Sequence, residues 1–219
     1  MFDSIAKTYD LLNHLLSMGI DFYWRKVTVK KLRNLNQDSK VLDLATGTGD
    51  LAIQIHKKYG AEIYGTDIAK EMLRAGLHKI TDKPKIKFFC GDAEKLPYKD
   101  NFFDACTIAF GIRNCENVEK ALSEMQRVTR KNGQIAILEF SQPENAFFKQ
   151  LYLFYFKNVL PLIGNILSKH NDAYKYLPES VMQFPHGKEF YRILEKTGFT
   201  EIELKPLTFG IVTVYTMTV

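Results

Sequence analysis

Three carboxylates mark the first half of this chain at positions where each could meet a ligand. Asp43 sits inside the apolar run Val41-Leu42-Asp43-Leu44-Ala45, and Asp67 follows Ile63-Tyr64-Gly65-Thr66. Asp92 stands in Gly91-Asp92-Ala93, after the run Ile86 to Cys90. Gly47-Thr48-Gly49 lies between the first two, and Gly47-x-Gly49-x-x-Ala52 satisfies the Gly/Ala form of the dinucleotide fingerprint. That fingerprint also wants an acid about 20 residues on, for a ribose diol, and Asp67 supplies it. Two details favour another ligand. Asp43, just before the turn, can receive an ammonium group directly or through water. Asp92 can accept from an adenine amino group. A ribose, an adenine and a charged amino acid, with no pyrophosphate to cradle, fit S-adenosylmethionine better than NAD. The plain alternative is a doubly wound domain whose strand ends are merely polar. A lone glycine loop is weak evidence, whereas three acidic strand ends in order are strong.

The elements that must hold these groups follow from spacing. The run 41–45 reads as a buried parallel strand, and the glycines let the backbone turn without a Cβ in the way. From Asp50 the period becomes helical, with Leu51, Ile55 and Tyr59 on one face. A helix N-terminus and bare N–H groups are thereby aimed at the ligand. Strands are expected at 41–45, 62–66, 86–90, 103–109 and 134–140, with helices at 50–59, 69–80 and 117–130 between them. The last helix carries Val118, Ala121, Leu122, Met125 and Val128 on one stripe, with Asn132-Gly133 read as its glycine cap. Strands alternating with such helices imply a parallel sheet covered on both faces, its ligand outside the carboxyl ends of the strands. A helix with Phe190, Ile193 and Leu194 ends at Gly198, and strands at 199–205 and 210–217 follow around a turn from Pro206 to Gly210. This closing hairpin places an antiparallel strand in the sheet, which dehydrogenase domains with such a loop do not usually have.

Two flanking segments remain. Phe2, Ile5, Tyr9, Leu12 and Leu16 recur at helical spacing behind Asp3 as N-cap, and a second helix after Asp21 carries Trp24, Val27 and Leu35. Such a pair packs across the sheet or over the ligand, with Tyr9, Asp10 and Asn13 as the polar members that could face inward. The plainer reading leaves Tyr9 as core and Asp10 as surface. Residues 143–186 hold the aromatic run Phe147-Phe148-Lys149-Gln150-Leu151-Tyr152-Leu153-Phe154-Tyr155-Phe156. It reads as a lid or wall for an apolar substrate, with Lys149 and Lys157 resting on anionic headgroups. A buried helix or a dimer contact explains it equally well.

Composition agrees with a globular α/β chain of 219 residues, 46% hydrophobic and 25% charged. The net charge of +5 comes from scattered lysines rather than blocks, so nucleic acid is not implied. Cys90, Cys106 and Cys115 lack C-x-x-C spacing, and the first two fall in strands expected to be buried, as reduced structural cysteines do. Asp3, Lys7 and Asp10 argue against a secretory leader, and no uncharged apolar run reaches the ~18 residues of a membrane span. A cytoplasmic protein, lying at most on the inner face of a membrane, is expected. No two histidines, nor a histidine and a cysteine, stand at ligand spacing, so no metal is implied.

With these residues in place the chain resembles the class I S-adenosylmethionine-dependent methyltransferases, and more narrowly the ubiquinone/menaquinone biosynthesis C-methyltransferase family. The resemblance rests on Phe2-x-x-Ile5-Ala6-x-x-Tyr9-Asp10-x-x-Asn13, Leu16-Ser17-x-Gly19, Trp24-Arg25 and Val41 to Asp50. It continues through Asp67-Ile68, Gly91-Asp92-Ala93-Glu94-x-Leu96-Pro97 and Ala109-Phe110-Gly111-Ile112-Arg113-Asn114. Leu138-Glu139-Phe140-Ser141-x-Pro143 and Ala173-Tyr174-x-Tyr176-Leu177-Pro178-x-Ser180 complete it. It implies a Rossmann-like doubly wound α/β sheet, mostly parallel with a C-terminal antiparallel hairpin, plus N-terminal helices and a helical lid. The expected division of one domain is a helical cap (1–36), a cofactor-binding core (37–142), an aromatic-rich substrate segment (143–186) and a C-terminal helix with hairpin (187–219). Cofactor contacts are implied at Thr48, Asp67, Asp92 and Ala93, with Asp43, Gly47, Gly49 and Ile68 completing the set. Thr46 stands where many relatives have glycine, and Ala109 where some place a serine.

The implied reaction moves a methyl group from a sulfonium to a ring carbon of a polyprenyl hydroquinone. Holding the carbon in line with the S–CH₃ bond supplies most of the acceleration, up to ~7–11 kcal/mol. Loss of the neighbouring hydroxyl proton makes the carbon nucleophilic, so a cation or donor for the oxyanion is wanted. Arg113 is the expected stabiliser and Asn114 orients it, while Tyr9 or His170 passes the proton to water. The rivals are a methyltransferase acting on RNA or another small molecule, an NAD-dependent dehydrogenase, and a non-catalytic quinone carrier. The substrate expected as partner is a polyprenyl quinol, with a peripheral membrane contact and a homodimer as further expectations.

Overall fold

The computed structural model describes residue 17, residues 19–155, residue 158 and residues 172–219, with only the backbone given at 172–175 and 177. The N-terminal positions Phe2 to Leu16, among them Tyr9, Asp10 and Asn13, lie outside the described residues, as do Phe156, Lys157 and His170.

Seven strands form one sheet: β1 (Lys40–Leu44), β2 (Glu62–Asp67), β3 (Ile86–Cys90), β4 (Phe103–Ala109), β5 (Thr129–Phe140), β6 (Thr200–Leu207) and β7 (Val212–Thr218). Their order is β3-β2-β1-β4-β5-β7-β6, in which β1 to β5 run parallel and β7 lies antiparallel to both β5 and β6. The described helices are α1 (Ile20–Lys31), α2 (Asp50–Tyr59), α3 (Lys70–Ile80), α4 (Val118–Val128), α5 (Ala146–Phe154), α6 (Asp172–Gln183) and α7 (Lys188–Thr197). None among the described residues is long and apolar enough to cross a membrane.

Alternation along the strands sorts the core onto two faces. Val41, Ile63, Ala105 and Ala136 pack under α1 and α2 through Val29, Leu51 and Ile55. Leu42, Cys106, Ile135 and Tyr215 pack on the other side against Leu122 and Met125 of α4 and Phe190 and Leu194 of α7. Both faces of the central strands are therefore dry, which is why those strands read as nearly unbroken apolar runs. The order reverses between β1 and β4, which places the switch point directly above Asp43 and the glycine turn.

Four expectations need correcting. α4 ends at Val128 and β5 starts at Thr129, because Thr129 already pairs with Phe103, so Asn132-Gly133 caps nothing. Asn132 instead adopts φ +60° within a bulge at the strand entry, and its N–H donates to the Val219 carbonyl. Cys90 is exposed rather than buried, since β3 is an edge strand with its ladder on one side only. Leu35 lies beyond α1, which stops at Lys31, although it still packs on the α1–α2 core. The last turn is tighter than expected: β6 runs through Pro206 to Leu207, and only Thr208–Gly210 turn the chain.

Candidate active site at the carboxyl ends of the strands

A cavity of about 280 Å³ opens above β1, β2, β3 and β4. Each strand contributes the residues at its carboxyl end: Leu44, Ala45 and Gly47 from β1, Thr66, Asp67 and Ile68 from β2, Gly91, Asp92 and Ala93 after β3, and Ile108, Ala109 and Phe110 from β4. Met72 of α3 and the segment Asn114-Cys115-Glu116 close the sides. Gly111 lets the β4 and β1 ends approach, for a Cβ there would lie 2.3 Å from the Ala45 Cβ.

The glycine turn is built for its carboxylate. Asp67 Oδ2 accepts from the Gly47 N–H at 2.8 Å, and Oδ1 accepts from the Ala69 N–H at 2.8 Å. The same side chain thus ties the β1 turn to the start of α3 and faces the cavity. Gly49 holds φ +91°, and a Cβ on it would meet Phe88 Cζ at 2.5 Å, so glycine is required on both counts. Thr48 points away from the cavity wall toward Lys79, whose ammonium donates to its hydroxyl at 3.0 Å and to Asp50 at 2.7 Å.

Asp43 lies lower. It is 1% exposed and accepts from the Thr46 hydroxyl at 2.7 Å and the Thr107 hydroxyl at 2.7 Å. Asp43 thus braces the turn from beneath, and Leu44 and Ala45 form the wall above it. Thr46, where a glycine was the common alternative, is what makes that brace. Burial pushes the Asp43 carboxyl up to about 6, against the pull of the two hydroxyls and the Arg25 charge. A carboxyl raised above its unfolded value stabilises the fold while protonated. That contribution is full below about pH 4 and is lost as pH climbs through about 6. Asp43→Asn should therefore gain stability relative to the native protein across that interval and keep a constant margin above it. Urea midpoints measured from about pH 4 to about 7 check this, and parallel curves would refute it.

Arg113 and Asn114 belong to a single 3₁₀ turn, Ile112–Asn114, that follows β4. Their side chains diverge. The Arg113 guanidinium turns inward: Nη1 donates to Glu139 Oε1 at 2.9 Å and to the Phe110 carbonyl at 2.5 Å, and Nε donates to Ser180 Oγ at 3.3 Å. Its side chain is 6% exposed and that of Glu139 is fully buried. Burial raises the Glu139 carboxyl, and the guanidinium with the Phe140 and Arg113 N–H groups pulls it back. Asn114 stays on the cavity wall.

The chain has relatives in both sequence and fold. The profile of the ubiE/COQ5 methyltransferase family matches residues 1–218. The chain belongs to that family. It is similar to the demethylmenaquinone methyltransferase of Chlorobaculum tepidum, 47% identical over 95% of this chain and 86% of that protein. It is also similar to the ubiquinone/menaquinone biosynthesis C-methyltransferase UbiE of Geotalea uraniireducens, 46% identical over 98% of this chain and 93% of that one. Among solved structures, an S-adenosylmethionine-dependent methyltransferase from Aquifex aeolicus superposes with a TM-score of 0.64 at 19% identity, covering 89% of each chain. The likeness to that structure shows the fold, a class I methyltransferase sheet with its antiparallel hairpin.

Within this methyltransferase, Gly47, Asp67, Ile68, Asp92, Ala93 and Asn114 meet around one cavity. Asp43, Thr48 and Gly49 support it from behind, and Arg113 stands beside it with its charge engaged. Sequence reasoning missed Met72, Phe110 and Glu139. Glu139 carried a usable signal: like Asp43, it is an acid inside an otherwise apolar strand, Ile135-Ala136-Ile137-Leu138. Such a residue must find a partner, and a buried arginine is the strongest one available. Phe110 gave none, because its φ of +57° is a property of the folded turn.

Proposed function

We infer that this enzyme transfers a methyl group from S-adenosylmethionine to a ring carbon of a polyprenyl hydroquinone, converting demethylmenaquinol to menaquinol or carrying out the equivalent step toward ubiquinone. The observation that carries the reading is the pairing of Asp67 and Asp92 across one cavity, in a chain 47% identical to a demethylmenaquinone methyltransferase. The donor set fits the cofactor. Asp67 suits a ribose diol, Asp92 suits an adenine amino group, and Ile68, Met72 and Phe110 offer apolar surface for a flat base. When bound, the cofactor supplies a methyl group on a positively charged sulfur. The chain's own work is to hold, orient and keep water out. Asn114 provides the polar group on the acceptor side, and Arg113 secures the turn that carries it. Because Glu139 compensates its charge, Arg113 acts as a positioning residue rather than as the oxyanion's cation. Tyr9, from the undescribed segment, completes the proposed catalytic set. A labelled-methyl assay with demethylated naphthoquinol and benzoquinol tests the reading. Transfer to one of them is expected; purified protein that ignores S-adenosylmethionine and takes up NAD would sink it.

The apolar acceptor also gives a use to α5. Phe147, Leu151 and Phe154 share one face of that helix and are 70%, 57% and 59% exposed. Phe148 beside them stacks on Phe209 at 4.1 Å, and Phe209 is itself held out to solvent at φ +56°. The helix carries Lys149 and no acid. This face rests on the cytoplasmic surface of an anionic membrane in which the polyprenyl tail is dissolved. Replacing Phe147 and Phe154 by serine should weaken sedimentation with anionic vesicles roughly tenfold or more, given the ~1.5–3 kcal/mol carried by one buried aromatic side chain. Unchanged partitioning would exclude the membrane. A homodimer through the same face would instead appear in lipid-free sedimentation equilibrium.

A further inference from the structure

The segment Tyr174 to Ser180 carries part of the family resemblance but has no task in the reading above. Two of its side chains reach the turn that walls the cavity. The Tyr176 hydroxyl donates to Asn114 Oδ1 at 3.0 Å, and Ser180, four residues on, accepts from Arg113 Nε at 3.3 Å. Residues four apart share one helical face, so α6 grips the turn at two consecutive residues. α6 itself is anchored at its far end, where Val181 is buried beside Tyr152 and Phe184 enters the main core.

The grip decides which end of the Asn114 amide is which. Its Nδ2 faces the Phe110 carbonyl at 3.4 Å while Oδ1 takes the tyrosine hydroxyl. Turning the amide over would set two acceptors, Oδ1 and the Phe110 carbonyl, against each other. It would also oblige the hydroxyl to find a new role. Without the tyrosine, only the long contact to Phe110 would hold the orientation among the described residues.

We propose that Tyr176 is a positioning residue: its hydroxyl locks the Asn114 amide so that the cavity is offered an N–H donor and not an oxygen. An acceptor ring that develops negative charge on its oxygen needs a donor there, and an amide presented the wrong way would repel it. The proposal rests on the methyl-transfer reading above.

The test is a double-mutant cycle of Tyr176→Phe and Asn114→Ala, followed by methyl transfer to demethylmenaquinol, with S-adenosylmethionine affinity and melting temperature measured alongside. Tyr176→Phe should lower kcat about tenfold, the worth of one hydrogen bond, and leave cofactor affinity and melting temperature in place. Asn114→Ala should lower kcat about 100-fold, as loss of one donor to a developing oxyanion does. The double variant should match Asn114→Ala to within about twofold, since nothing remains for the tyrosine to position. Asn114→Asp, which keeps the size but replaces the NH₂ by oxygen, should fall as far as the alanine variant. The pH–rate profile of Tyr176→Phe should keep its shape and lose only height. Losses that add in the double variant would show that Tyr176 acts apart from Asn114 and overturn the proposal. So would a vanished limb in the Tyr176→Phe profile, which would make the hydroxyl itself the proton carrier. An inactive wild type that binds S-adenosylmethionine would overturn the methyl-transfer reading, and this inference with it.

Discussion

Asp67→Ala is expected to weaken S-adenosylmethionine binding by at least about 100-fold. Hydrogen bonds to a charged group are worth roughly 1.5–3 kcal/mol each, and a ribose diol can make two. The carboxylate also does structural work, because Gly47 and Ala69 both donate to it and so couple the glycine turn to α3. Removing it takes away the ligand's partner and loosens the turn at once. Asp67→Asn separates the two effects. One amide oxygen can still accept, but the NH₂ end must face either the Gly47 or the Ala69 N–H, donor against donor. An intermediate loss is therefore expected, with the alanine variant worse. Calorimetry on the purified variants gives the answer directly. If Asp67→Ala binds the cofactor as tightly as the native protein, Asp67 does not hold the ribose.

Glu139→Ala should be the most destabilising of these substitutions, by about 3–5 kcal/mol, the cost of leaving a buried charge without its partner. Arg113 would remain 6% exposed with its guanidinium facing an empty space where the carboxylate stood. The Phe140 N–H, which also donates to Glu139 at 2.8 Å, would lose its acceptor. At this chain length, with roughly 2–4 °C per kcal/mol, the melting temperature should drop by about 6–20 °C. Replacing both partners by apolar residues, Glu139→Leu with Arg113→Met, should recover much of that loss, because no charge is then left in the dry interior. Methyl transfer should not recover with it. The Ile112–Asn114 turn would have lost the bonds from Arg113 to Ser180 and to the Phe110 carbonyl that hold it in place. A Glu139→Ala protein melting within about one degree of the native one would show that water reaches the pair and that the interior argument is wrong.

The acids that line the strand-end cavity were legible in the chain because their signal is local. A carboxylate at the end of an apolar run, followed by a glycine turn or a glycine beside it, carries its position in its neighbours. Asp67 and Asp92 needed only the strand pattern to be brought to one sheet edge. The strand and helix spans follow from the same periodicity, which is why β3 and β4 have their expected bounds. What was misjudged depended on partners distant in sequence. Cys90 looked buried by composition, yet its strand lies at the edge of the sheet. Asn132-Gly133 looked like a cap, yet the backbone there is drawn into the sheet by pairing with β4 and by the chain's last residue.

Residue types and spacing alone thus determined the doubly wound sheet and brought Asp67 and Asp92 to the cavity at its carboxyl edge. Only the tertiary structure decided what the charged and polar groups next to that edge do. Arg113 is 26 residues from Glu139 and 67 from Ser180, and Asn114 is 62 from Tyr176. Short-range spacing reports which face a side chain leaves from. Whether a guanidinium then meets a ligand or a buried carboxylate depends on what the opposing strand and helix bring to the same place, and in a dry interior the carboxylate wins.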